Sequence, residues 1–433
     1  MKRVLIILFI LLITIFVFLF IDYKTLGSFY FYTLFSFLLI NIIINKTISL
    51  IDVWNFAFIF IVLSEVFSSL IVVTENHLDG LKYLITANNL INVGYFSKRK
   101  VNINLSIKRE VFANKRYTLY LIIFLICFYF LSEIPRAVYI FSVGRNIAYS
   151  EAEEENLLGP LINALGFILP AISTYYFSIV KGKSLWISFL FSTPIFIVLF
   201  LGGTRFPLLF SFIGFLFVAQ SKIESKFSLK KGALVVLSLV SLLLVTQLMK
   251  HFRSSTQKDK EFVLVTSDYE NVSVAEYLSS YMSAEGTIDM TSLMFKHFKS
   301  NNHLYGKSTL FITYFWIPRQ VWPDKPTMIG YWFIRKYRSN FGDSYSASFG
   351  FTGDLYADFG LFSLFFVFLI GRAIKYAENF KNCALKSKNY SIILGAMIFP
   401  YIFFFVRSPI TATMNFLAIL FFFYFFKRII FSK

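Results

Sequence analysis

Apolar stretches of roughly 18 residues or more recur from one end of this chain to the other, the length a helix needs to cross lipid. Backbone N–H and C=O groups meet no water inside a bilayer, so a spanning segment must be a helix or part of a closed barrel. The runs are continuous, not alternating, which removes the barrel. A composition of 57% hydrophobic and 20% aromatic residues, with 57 Phe in 433 positions, also exceeds what a soluble core can use. The expected fold is therefore an all-α polytopic membrane protein.

Spans are expected at 4–21, 29–45, 51–73, 80–96, 118–133, 158–180, 184–201, 206–219, 232–249, 356–371, 391–406 and 410–426, twelve in all. The first follows Lys2 and Arg3 and has no small-residue cleavage site after it, so it reads as an uncleaved span and not a signal peptide. The weakest is 80–96, where Asn88 and Asn89 sit in mid-run. Charge retains it, because the basic segment 97–117 reaches the cytoplasm only if 80–96 crosses. With the N-terminus inside, the connectors 1–3, 46–50, 97–117, 181–183, 220–231, 372–390 and 427–433 hold 24 of the 42 Lys and Arg. Their acids are Glu110, Glu224 and Glu378 alone. That distribution follows the positive-inside rule. It places both termini in the cytoplasm and explains most of the net charge of +18. Charge scattered over loops argues against a nucleic-acid partner. Cys127 and Cys383 fall at different depths, so neither a disulfide nor a metal pair is implied.

The organisation that follows is nine spans over 1–249, a large extracytoplasmic loop over 250–355, and three spans over 356–433. No internal repeat stands out, which disfavours transporters built on repeats. A hundred-residue polar segment in so apolar a chain is where chemistry is expected. It carries IPRQVWPDKP at 317–326 and runs into FTGDLYADFG at 351–360. Pro318, Pro323 and Pro326 stiffen the first motif. Trp316 and Trp322 suit the membrane–water interface, holding Arg319 and Lys325 near the level of lipid phosphates. A guanidinium fork matches phosphate oxygens and an ammonium offers a point charge. Both side chains equally suit snorkelling to headgroups.

In the second motif Gly350, Gly353 and Gly360 allow close backbone approach. Asp354 and Asp358 lie four apart, on one helical face. They can position or deprotonate a sugar hydroxyl, or simply complement a helix dipole. Arg205 in LGGTRFPLLF, Arg253 in KHFRSS and Arg407 in FVRSP fall with Arg319 at one membrane face by this topology. Each alone is a common lipid contact; together they suit a lipid-linked diphosphate. Glu65, in the middle of the third span, reads either as a functional group or as a paired structural one. His303 and Glu285 are further candidates in the loop. Walker A, HExxH and GxSxG signatures are missing, as is an Asp-x-Asp motif in the loop, so no cofactor and no metal site is expected.

The twelve-span layout, the late external loop, GGTR before the eighth span, FR after the ninth, IPRQVWPDKP and GDLYADFG together resemble the Wzy-type O-antigen and capsular repeat-unit polymerases. The likeness covers the whole chain in layout and some forty residues in motif. It implies a metal-independent membrane glycosyltransferase of the bacterial inner membrane that polymerises undecaprenyl-diphosphate-linked oligosaccharide repeats. Arg205, Arg253 and Arg319 match the arginines of that family and would face the diphosphate, with Lys325 and Arg407 beside them. Asp354 or His303 would serve the acceptor hydroxyl. The family often has Glu where this chain has Asp354, one methylene shorter. Implied partners are the lipid bilayer, a chain-length regulator and a flippase. An O-antigen ligase shares the layout and the arginines, but IPRQVWPDKP favours the polymerase. A flippase would carry charge inside its bundle and only short loops, and a scaffolding protein has no need of the motifs.

Overall fold

A run of apolar residues offers the backbone no competing side-chain hydrogen bonds and no turn residue to break it, so it folds as helix. The computed structural model describes residues 10, 12, 22–45, 48–67, 75–97, 115–143, 159–202, 205–222, 287–315, 317, 321–326, 328–337, 349–387 and 389–430. No strand occurs among them. The helices are α1 (Tyr23–Asn45), α2 (Leu50–Ile61), α3 (Glu75–Ser97), α4 (Lys115–Val143), α5 (Gly159–Thr174), α6 (Leu185–Leu201) and α7 (Arg205–Lys222). There follow α8 (Thr287–Phe298), α9 (Phe311–Tyr314), α10 (Ile329–Tyr337), α11 (Gly350–Phe359), α12 (Ser363–Ser387), α13 (Ser391–Arg407) and α14 (Pro409–Ile430).

Four helical stretches are long and apolar enough to cross a membrane: Arg116–Ser142, Leu161–Val180, Gly350–Leu385 and Pro409–Ile429. Shorter apolar helices include Leu185–Leu201 and Ser391–Arg407. The expected span 232–249 and nearly all of 4–21 lie outside the described residues. The expected span 51–73 is not one helix, because α2 stops at Ile61 and a 3₁₀ turn over Leu63–Phe67 follows.

The chain divides into two compact units. The first comprises Met1–Ile103, Val263–Phe380 and Tyr401–Met414. Here the asparagines that weaken the fourth span on paper become its fastenings. Trp54 Nε1 donates to Asn88 Oδ1 at 2.8 Å and Tyr30 OH donates to Asn89 Oδ1 at 2.7 Å. Asn55 and Asn92 exchange amide bonds at 2.9 and 3.0 Å. All six side chains are buried. Between helices in lipid such bonds contribute about 1 kcal/mol each and also specify register. Small residues allow the closest approach. A Cβ on Gly94 would strike the Phe368 carbonyl, and one on Gly371 would strike the Ile91 carbonyl, so α3 and α12 cross backbone to backbone.

Glu65 takes the structural of its two readings. Its carboxylate accepts the N–H groups of Ile288 at 2.7 Å and Asp289 at 3.0 Å, the first turn of α8. Those donors have no partner within their own helix, and a carboxylate there satisfies them and the dipole together. So anchored, α8 packs on α3 and α11. Met294, Phe298, Phe333, Phe349, Tyr356 and Tyr83 form one core beneath it. The described part of the polar loop, from 287 to 337, is thus folded into the helical unit.

The second unit comprises Asn104–Phe262, Lys381–Pro400 and Asn415–Lys433. Its centre is α5, packed against α4, α6 and α7. Pro170 lies inside α5 and cannot donate to the carbonyl of Gly166 four residues back. Ser211 on α7 supplies the missing donor, its hydroxyl reaching Gly166 O at 2.9 Å. A neighbouring helix so repairs a proline break in a medium without water. Serine pairs Ser173–Ser192 at 3.0 Å and Ser178–Ser188 at 2.8 Å tie α5 and its trailing π turn to α6.

Candidate active site

The second motif folds as α11 and stops at Gly360, whose φ of 56° and ψ of −139° take the backbone out of the helix. Only glycine adopts such angles without strain. A side chain here would also meet another residue, since a Cβ on Gly360 would lie 2.7 Å from His303 Nε2. Ending a helix leaves its last carbonyls unpaired. The turn over 303–310 meets them: Leu304 N–H donates to Ala357 O at 2.8 Å and Tyr305 N–H donates to Asp358 O at 3.0 Å. Tyr305 and Gly306 both take positive φ, 50° and 91°, to make this strap turn back on itself.

The carboxylate of Asp358 closes the strap. It accepts from Ser308 N–H at 2.9 Å, Thr309 N–H at 2.7 Å and Thr309 Oγ1 at 2.5 Å, and it is fully buried. One helical turn earlier, Asp354 accepts the Ser308 hydroxyl at 3.1 Å on Oδ1. Its other oxygen has no hydrogen-bond partner among the described residues. The two aspartates that share a helical face in the sequence therefore divide their tasks. Asp358 holds backbone, while Asp354 keeps a carboxylate oxygen available.

His303 begins the same strap. Its ring stacks on Phe298 at 5.2 Å and meets the Tyr356 ring edge-on at 5.7 Å. Its Nδ1 is buried without a hydrogen-bond partner among the described residues. No hydrogen bond joins His303 to Asp354. Beyond the strap, α9 carries Tyr314, whose phenol is pushed above its usual range by burial and by the Asp358 carboxylate. In α8, burial holds the His297 imidazole below its usual range, and Lys336 adds to that.

The cationic candidates are placed unevenly. Arg407 is half-buried at the C-terminal end of α13, where a cation complements the helix dipole. Lys325 is buried, 4% exposed, with its ammonium on the carbonyls of Phe315 and Ile317. Arg205 opens α7, and its side chain lies outside the described residues, as do Arg253, Arg319 and Glu285 altogether. Sequence reading overlooked Ser308 and Thr309. Their signal was a Ser-Thr pair directly after a glycine turn, a pattern that favours hydroxyl and amide donors converging on one acceptor. Among the described residues no three His, Cys, Asp or Glu side chains are grouped to hold a metal ion.

The family model for the O-antigen polysaccharide polymerase Wzy matches residues 2–433. No curated protein and no solved structure matches the chain. With apolar helices throughout and that match along essentially its whole length, the chain belongs to the Wzy family of O-antigen polysaccharide polymerases, membrane enzymes that join lipid-linked oligosaccharide repeat units.

Proposed function

We propose that this polymerase moves the growing glycan from an undecaprenyl-diphosphate carrier onto the non-reducing end of the next lipid-linked unit, outside the cytoplasmic membrane and without a metal ion. In this reading twelve spans carry both termini in the cytoplasm. Segments 1–249 and 356–433 are scaffold, and 250–355 bears the active-site face. The acceptor hydroxyl attacks the anomeric carbon as the bond to the diphosphate oxygen breaks. Its proton passes to Asp354, and the diphosphate leaves with the bonding electrons. Arg205, Arg253, Arg319 and Arg407 neutralise the charge that develops there, which is where fixed donors lower a barrier most. A flippase that delivers substrate and a chain-length regulator are the expected partners.

The observation that carries this reading is the state of Asp354. It is a buried carboxylate with one oxygen oriented by Ser308 and the other uncommitted among the described residues. That suits a base positioned for a hydroxyl. His303 is the less suited of the two candidates, since its Nε2 lies against Gly360 and its Nδ1 is buried.

The test is a reconstituted reaction with purified protein, a synthetic undecaprenyl-diphosphate repeat unit and chelator. A ladder of products is expected on a gel, abolished by Arg319→Ala and cut about 100-fold or more by Asp354→Asn, with a smaller effect from His303→Ala. Movement of the substrate across vesicles with no ladder would favour the flippase. Transfer only to a lipid A core acceptor would favour the ligase.

A further inference from the structure

Lys325 stands in a motif where an ammonium near lipid phosphate level is the simple expectation, yet its side chain turns inward. Trp322, Pro323, Asp324 and Lys325 form a tight turn, closed by Lys325 N–H donating to Trp322 O at 3.1 Å. Proline at the second position and aspartate at the third are residues this turn favours. The turn sends the lysine back along the chain just traversed. Its Nζ donates to Phe315 O at 3.2 Å and to Ile317 O at 2.9 Å, and it lies 5.9 Å from the centre of the Phe311 ring. Trp322 closes over the same place, 5.4 Å from the Tyr314 ring. At 4% exposure the lysine presents almost nothing to a ligand or a headgroup. Burying an ammonium is costly unless its donors are met, and here backbone carbonyls just past α9 meet them. The other end of the segment is held by Asp358, through Ser308 and Thr309.

We propose that Lys325 and Asp358 are positioning residues, two pins that close the segment 308–325 and hold in place the stretch of chain bearing Arg319. Lys325 then acts on turnover through the shape of that loop and not through its charge at the diphosphate. The proposal rests on the reading of Arg319 as a diphosphate ligand. It differs from a binding role in what the side chain must supply. A pin needs N–H donors that fit a buried slot, whereas a phosphate contact needs positive charge.

Three variants separate these requirements. Lys325→Gln keeps the donors and removes the charge. Lys325→Arg keeps the charge but is too bulky and planar for the slot. Lys325→Met has neither charge nor donors. In the reconstituted polymerisation assay, Gln is expected to recover a major part of wild-type kcat with KM changed less than about twofold. Arg and Met are each expected to lose about tenfold or more in kcat. The reverse order, with Arg active and Gln raising KM, would overturn the proposal in favour of a phosphate contact. A second measurement does not depend on activity. Trypsin cleavage after Arg319, followed by mass spectrometry on the detergent-solubilised full chain, is expected to quicken about fivefold or more in Lys325→Met and to stay near wild type in Lys325→Gln. Unchanged cleavage in the Met variant would overturn the pin itself. Faster cleavage with an undiminished ladder would leave the pin standing and overturn the reading of Arg319 on which its role in turnover rests.

Discussion

Replacing Asp358 with alanine removes the one acceptor that gathers three donors of the 303–310 strap. Ser308 N–H, Thr309 N–H and the Thr309 hydroxyl all end on its carboxylate, and the carboxylate has no exposed surface. A hydrogen bond to a carboxylate contributes about 1.5–3 kcal/mol net, and an amide left buried without a partner costs about 1–3 kcal/mol. These losses overlap because the strap relaxes once released, so the expected cost of Asp358→Ala is about 3–5 kcal/mol. That is a large part of the roughly 5–15 kcal/mol by which a folded chain exceeds its unfolded state. Two measurements check it. Thermal unfolding in detergent should show a clearly lower midpoint than wild type. Hydrogen exchange read by mass spectrometry should show the peptide over 304–310 losing protection by roughly 30-fold, which corresponds to about 2 kcal/mol of local opening. A double-mutant cycle with Thr309→Val should return a coupling of about 1–3 kcal/mol. A midpoint and an exchange pattern both indistinguishable from wild type would refute the reasoning, because the three donors would then have another acceptor.

Two other outcomes follow from the same region. Gly360→Ala should cost about 1–3 kcal/mol, from a positive φ and from the clash with His303. Adding His303→Ala should recover the part due to the clash, so the double variant should be more stable than additivity allows, as thermal unfolding would report. His297 should make the fold weaker in acid. Its folded pKa is depressed, so the neutral form is preferred in the fold, and stability is lost as pH falls through the unfolded value near 6.5 towards the lower folded one. His297→Asn should flatten the dependence of the unfolding midpoint between about pH 5 and 7, and an unchanged slope would show that this imidazole is not responsible.

The aspartates show how far reading the sequence could go. Their spacing of four placed Asp354 and Asp358 on one helical face, and α11 bears that out. Nothing in the spacing could tell which would hold backbone and which would keep an oxygen available. That depended on a strap from some fifty positions earlier in the chain, whose donors reach Asp358 first. Glu65 was legible as an anomaly but not as a cap, since the amides it serves belong to a helix more than two hundred residues later. The mid-run asparagines weakened a span by composition, although in the fold their amides are matched by Trp54, Tyr30 and Asn55.

What the sequence determined by itself is the medium and the class of fold. Long apolar runs in a solvent that cannot satisfy a backbone leave helix as the available answer, a local property that needs no partner. Its motifs also sufficed to place the chain among the O-antigen polymerases. Only the tertiary structure decided the work of individual polar groups: Ser211 repairing the Pro170 break, Glu65 capping α8, Asp358 closing the strap and Lys325 folded back on its own loop. A polar side chain in a dry interior is committed to whichever donor or acceptor the fold brings within about 3 Å. That neighbour is set by packing between distant segments, which no local pattern encodes.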